Sequence, residues 1–212
     1  MTLVLRAGEF GDRTIGYGFP TRDEREPENV VTLKQVHGSC VRETADSGAG
    51  IEGDAVIARE AGVAVGVRTA DCLPVLLYAR EERVVAAVHC GWRGIVGRIQ
   101  ERAVERLGVA NRAEIQAAVG PGIGACCFVV HRDAYEPIAA AFPRVPDALF
   151  DLGNGAWRID LRRLVHASLA SAGVNRVFDV PICTVCRPDL FHSFRRDRDA
   201  AGRHVNFIER LR

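Results

Sequence analysis

The chain has 212 residues, 48% of them hydrophobic and 26% charged, with a net charge of +1 at neutral pH. That balance excludes a disordered or fibrous protein. The small net charge argues against a global field that would recruit nucleic acid or a membrane surface. The length suits one domain over residues 1–212.

The opening "MTLVLRAGEFGD" is too short and too soon charged for a secretory signal. The longest apolar region, 61–79, is broken by Arg68, Asp71 and Pro74, so no bilayer-spanning helix is expected there. Seven cysteines without a secretion signal read as reduced thiols in a cytoplasm.

In chain order, residues 2–6 and 14–18 read as short strands, followed by the charged loop "TRDEREPEN". "VVTLKQVHG" reads as a strand closing at Gly38. "GDAVIA", "GVAVGVRT", "LPVLLYA" and "RVVAAVHC" are four valine-rich strand candidates bounded by turn residues. The last three are apolar almost throughout, as central strands covered on both faces are.

"RGIVGRIQERAVERLG" carries Ile95, Ile99, Ala103 and Leu107 as one helical stripe, ended by Gly108. "AEIQAAVG" is a buried strand running into the loop "GPGIGACC", and "DAYEPIAAAF" reads as helical despite Pro137. "LFDLGNGAWRIDL" is a hairpin with Asn-Gly at its tip. Asp160 then caps a helix whose buried face is Leu161, Leu164, Val165, Ser168 and Leu169, closed by Gly173. The strand "RVFDV", the loop "PICTVCRPDLFHSFRRD" and the strand "RHVNFIERL" complete an α/β-type domain with a mixed sheet.

Soft thiolate and imidazole donors together favour zinc, and a catalytic zinc keeps three protein ligands and one open position. His37, Cys72 and His89 each stand at an expected strand end, with long spacings that suit a site assembled by tertiary structure. On the residues alone, a buried cysteine with two surface histidines is an equally good account.

The runs "LKQVHG", "RTADCLPVLL", "AVHCGWRGI", "GPGIGACCF" and "CRPDLFHSFRRD", in that order, resemble the YfiH family. That family is also called the multicopper polyphenol oxidoreductase or laccase-domain family, and the purine nucleoside phosphorylase family. The resemblance runs from about residue 14 to the end. It implies an α+β fold of mixed sheets with flanking helices, similar to a cysteine-hydrolase-like toxin deamidase, and zinc on His37, Cys72 and His89. The implied activity is phosphorolysis of adenosine, inosine and methylthioadenosine, with adenosine deamination. The implied partners are a purine nucleoside and phosphate, with neither nucleic acid nor membrane, in a monomer or homodimer.

Two departures stand out. The polar loop before His37 is shorter than in family members, and Cys90 replaces the usual alanine of H-A-G-W-R-G. A strand neighbour of His89 points to the opposite face, so Cys90 reads as core.

Phosphate handling calls for arginine forks. Arg93 is the first candidate, Arg68 the second, and Arg195 with Arg196 the third, each with a structural ion pair as the plainer account. Asp71 is a candidate general acid/base or a hydrogen-bond partner of a histidine ligand, and Cys72 and Arg93 complete the candidate catalytic set.

The six histidines are too few and too scattered for a trinuclear copper cluster beside a mononuclear site. Copper would therefore occupy the zinc site only adventitiously. Cys126, Cys127, Cys183 and Cys186 could form a second metal site or a redox pair, but read first as buried small side chains on the pocket floor. Rival functions are a metal-independent Cys72–His89 thiol hydrolase or amidase acting on peptidoglycan precursors, a copper polyphenol oxidase, and a non-enzymatic protein with structural zinc.

Overall fold

A computed structural model describes residues 4–5, 10–24, 28–48 and 50–212. The expected strand at 2–6 and the charged loop at 21–29 fall partly outside these. The fold is α+β, built in three layers.

The middle layer is a six-stranded mixed sheet ordered β13-β9-β7-β8-β5-β4. Its strands are β4 (Val41–Glu43), β5 (Ala55–Ala58), β7 (Leu73–Ala79), β8 (Val84–Cys90), β9 (Ile115–Val119) and β13 (Arg176–Asp179). On one side lies a five-stranded sheet ordered β1-β2-β14-β6-β3. It comprises β1 (Val4–Leu5), β2 (Ile15–Pro20), β3 (Val30–Val31), β6 (Ala64–Thr69) and β14 (His204–Arg210).

On the other side lie the helices α1 (Trp92–Val96), α2 (Ile99–Leu107), α3 (Arg132–Ala141) and α4 (Leu161–Ser171). With them is a small antiparallel sheet of β10 (Val129–Val130), β11 (Leu149–Asp151) and β12 (Trp157–Ile159). A last helix, α5 (Phe194–Asp197), sits in the loop before β14.

The unbroken apolar runs have the cause expected of them. Along β7 and β8, Leu73, Val75, Leu77, Val84, Ala86, Val88 and Cys90 face the helix-side core. The alternate residues Leu76, Tyr78, Val85 and Ala87 pack against Tyr17, Phe19, Val65 and Ile208 of the five-stranded sheet. Both faces of the central strands are therefore covered, and a period of two is hidden because both positions are apolar.

Three expectations need correction. "VVTLKQVHG" is a strand only at Val30–Val31; His37 stands on an irregular loop with φ +59, a conformation no strand contains. The stripe from Ile95 to Leu107 belongs to two helices, because Arg98 at φ +61 breaks the chain between α1 and α2. The loop at 181–197 holds α5, capped by the Ser193 side chain accepting from Arg196 N–H. The hairpin tip is as read: Asn154 and Gly155 both have positive φ, the backbone of a type I′ turn.

Candidate metal centre

Cys72 immediately precedes β7 and His89 is the penultimate residue of β8; the two strands are antiparallel neighbours, with His89 opposite Pro74. This pairing brings Cys72 and His89 to one end of the sheet, where the loop carrying His37 also arrives. The three donor atoms lie within 4.8 Å of one another, and the two imidazole centroids are 4.8 Å apart at an interplanar angle of 78°. His89 is buried, Cys72 half-buried and His37 exposed.

The residue that assembles this group is Asp54, just before β5 and 1% exposed. Its Oδ1 accepts from the His37 N–H at 2.9 Å and from His89 Nδ1 at 2.8 Å. Its Oδ2 accepts from the Val36 N–H at 3.2 Å and the Gly38 N–H at 2.8 Å. Three successive amides thus converge on one carboxylate, which holds His37 in its left-handed conformation. An ionised carboxylate only accepts, so the Nδ1 proton belongs to His89 and Nε2 is the nitrogen left for a metal. Sequence reading missed Asp54; the available signal was an acidic residue opening the otherwise apolar run "DAVIA".

Electrostatics inside the group are strong. Burial raises the Cys72 thiol, but hydrogen bonds from His37 and His89 and the charges on those rings outweigh it, leaving it lowered to about 6. For His89 burial acts downward, while the bonds to Asp54 and Cys72 prevail and raise it to about 9. Asp54 is pushed up by burial but held below the usual carboxylate range by His89 and the loop amides. Cys90 is 0% exposed and burial pushes its thiol up, so it is core and no ligand.

Gly91 has a packing reason. A Cβ there would stand 3.1 Å from His37 Cδ2 and 3.2 Å from Cys72 Sγ. The donor set, two imidazoles and a thiolate with a fixed tautomer, fits a metal ion with one position facing outward.

A cavity of about 640 Å³ opens over these residues. Its walls include Trp92, Phe128 and, among the described residues, the arginines Arg68, Arg93, Arg195, Arg198 and Arg203. Arg93 stacks on Trp92 at 4.5 Å. The Arg68 backbone is bridged by the Gln35 side-chain amide, donating at 2.9 Å and accepting at 2.7 Å. Arg198 and Arg203 were not singled out from sequence.

Asp71, with φ +92, is buried with both oxygens engaged: Oδ1 accepts from Thr184 Oγ1 at 2.6 Å and Oδ2 from the Arg195 N–H at 2.6 Å. The Arg195 guanidinium donates to the Cys127 and Val129 carbonyls, at 3.2 and 3.0 Å. Arg196 does not line the cavity; it pairs with Asp197 at 2.6 Å and donates to the carbonyls of Thr184, Val185 and Phe191. His166 pairs with Asp179 at 2.8 Å, and His204 is buried with Nε2 accepting from the His192 N–H. Cys126 and Cys186 are exposed, contrary to the reading of the four loop cysteines as buried filler.

The layered fold with a His–Cys–His group at a sheet end defines a class: residues 21–211 match the family model described as multi-copper polyphenol oxidoreductase laccase. The chain is 36% identical over 184 residues to "Purine nucleoside phosphorylase YfiH" of Shigella flexneri, covering 86% of this chain and 74% of that protein. It is 37% identical to "Adenosine deaminase RL5" from an unknown prokaryotic organism, over 76% of this chain and 64% of the relative. The crystal structure of YlmD from Geobacillus stearothermophilus superposes with a TM-score of 0.89 at 26% identity, covering 99% of this chain and 96% of that one. The chain belongs to the YfiH family.

Proposed function

We propose that this chain is a zinc-dependent purine nucleoside enzyme of one catalytic domain, cleaving adenosine, inosine and methylthioadenosine with phosphate and deaminating adenosine. The observation that carries the reading is the convergence of His37, Cys72 and His89 on the floor of an arginine-lined cavity of about 640 Å³. That volume lies within the range of small-molecule sites, roughly 300–1,000 Å³. The names of the relatives from Shigella flexneri and the unknown prokaryote support the substrate class. The seven free cysteines accord with a reducing cytoplasm.

In this reading His37, Cys72 and His89 hold the zinc. Zinc there supplies a Lewis acid and acidifies water at neutral pH. Asp54 keeps the His89 tautomer and the His37 loop in place. Arg93 and Arg68 hold phosphate, and Arg195 joins them from α5. Trp92 and Phe128 offer aromatic faces to the purine. Asp71 acts by positioning: its carboxylate fixes the Thr184 hydroxyl and the Arg195 amide, tying the α5 wall to the start of β7. Arg196 serves the same wall from behind.

The Cys72 thiol, lowered to about 6 between two imidazoles, also suits a thiol hydrolase that uses no metal. Chelation separates the two readings. Stripping metal from purified protein should abolish base release from inosine with phosphate, and zinc should restore it. Full phosphate-dependent activity in the stripped protein would overturn the zinc reading. No base release from either form, with amide hydrolysis by the stripped protein, would put the thiol hydrolase in its place.

A further inference from the structure

We propose a second metal site, a structural tetrathiolate zinc held by Cys126, Cys127, Cys183 and Cys186. It lies in the loops that carry Ile123 and Phe128 to the cavity and is separate from the His37, Cys72 and His89 group.

The topology explains why these residues meet. β9 and β13 are parallel neighbours, so the loops that follow them leave the sheet at the same end. Gly122 and Cys183 are bridged in parallel, with the Thr184 N–H donating to the Gly122 carbonyl at 3.1 Å. Beyond that bridge the first loop turns tightly, the Gly124 carbonyl accepting from the Cys127 and Phe128 amides at 3.0 Å each.

The four sulfurs then lie within 4.8 Å of one another, with Cys127 to Cys186 at 3.4 Å and Cys126 to Cys186 at 3.6 Å. A tetrahedral zinc with bonds of about 2.3 Å has sulfur–sulfur edges of about 3.8 Å. The cluster is close to that size, and too tight to admit an iron–sulfur core between its sulfurs.

The surroundings fit a thiolate site. The Gly124 N–H donates to Cys183 Sγ at 3.3 Å, and a Cβ on Gly124 would come 3.2 Å from Cys126 Sγ and 3.5 Å from Cys183 Sγ. Arg195 and Arg196 donate to the carbonyls of Cys127, Thr184 and Val185, placing two cations beside a site whose four thiolates exceed the zinc charge. Cys126 and Cys186 are exposed, so the ion has a path in from solvent. The same loops carry Ile123 and Phe128 into the cavity and Thr184 onto Asp71, so the ion fastens one wall of the pocket.

Metal analysis of the full chain, purified under reducing conditions without chelator, should find about two zinc per chain. Cys183→Ser and Cys186→Ser should each leave about one, as should His89→Ala. Cobalt substituted into His89→Ala should give the intense absorption of a tetrahedral tetrathiolate, and cobalt in Cys186→Ser should not. Alkylation of the wild type keeps the test independent of variant folding. Exposed Cys40 should react at once, and Cys126 and Cys186 only after chelation. One zinc per chain, lost in His89→Ala and kept in both cysteine variants, would overturn the proposal. So would immediate labelling of Cys126 and Cys186, or a disulfide between Cys127 and Cys186 in the reduced preparation.

Discussion

Replacing Asp54 by Asn keeps the size and removes the charge from the carboxylate that assembles the His37, Cys72 and His89 group. Each Asp54 oxygen accepts two hydrogen bonds, His37 N–H and His89 Nδ1–H at Oδ1, Val36 N–H and Gly38 N–H at Oδ2. The amide must point its NH2 at one of these pairs, so two donors face a donor whichever way it turns. A buried donor without a partner costs about 1–3 kcal/mol, and because water reaches the part-exposed loop amides of Val36, His37 and Gly38, the loss is about 1–3 kcal/mol in all.

If the NH2 meets His89, the ring can escape only by moving its proton to Nε2, the nitrogen a metal needs. Zinc affinity should then fall about 10–100-fold. The melting temperature should drop roughly 2–12 °C, at about 2–4 °C per kcal/mol for a chain of this size. Competition with a chromophoric chelator at low temperature measures the first, and thermal unfolding of the metal-free protein measures the second. An Asp54→Asn protein with unchanged zinc affinity and unchanged melting would refute the role given to Asp54.

Gly91→Ala should weaken zinc binding about tenfold while leaving the metal-free protein folded, because its Cβ presses on His37 and Cys72 where a metal tolerates shifts of only about 0.2 Å; the same chelator titration reads it. Arg93→Lys should lower phosphate use about tenfold or more with nucleoside binding little changed, since lysine offers no fork; equal losses in the two KM values would make Arg93 structural. His204, lowered by burial to about 4 from an ordinary 6.5, is protonated more readily in the unfolded chain. Its contribution is therefore complete above pH 6.5 and lost as pH falls towards 4, about 3 kcal/mol in all. Urea unfolding at pH 7 and pH 4 should show that loss, and His204→Asn should show less of it by about the same amount.

Much of this architecture was legible in the sequence because local and global signals agree there. β7 and β8 were read to within a residue, since valine-rich runs between turns have no competing helical period. Asp160 and Gly173 bracketed α4, because a side-chain cap and a left-handed glycine are local devices. The helix break at Arg98 was hidden, as nothing in an arginine announces a positive φ.

At the site, His37, Cys72 and His89 were legible from their motifs, but what holds them was not. Asp54 works through three amides and one ring nitrogen, contacts that sequence spacing does not encode. The occupation of Asp71 by Thr184 is a contact across 113 positions and equally invisible. The loop cysteines meet because β9 and β13 are parallel neighbours, a pairing that exists only in the folded sheet.

The most direct test of the central claim sets two reactions of one protein side by side. Zinc-loaded, copper-free enzyme should release hypoxanthine from inosine only when phosphate is present. Cys72→Ala should lose that activity together with the zinc at its site. Copper-loaded enzyme should oxidise phenols slowly, as a side reaction of a single ion. Efficient phenol oxidation with several coppers per chain, and no base release by the zinc form, would contradict the account.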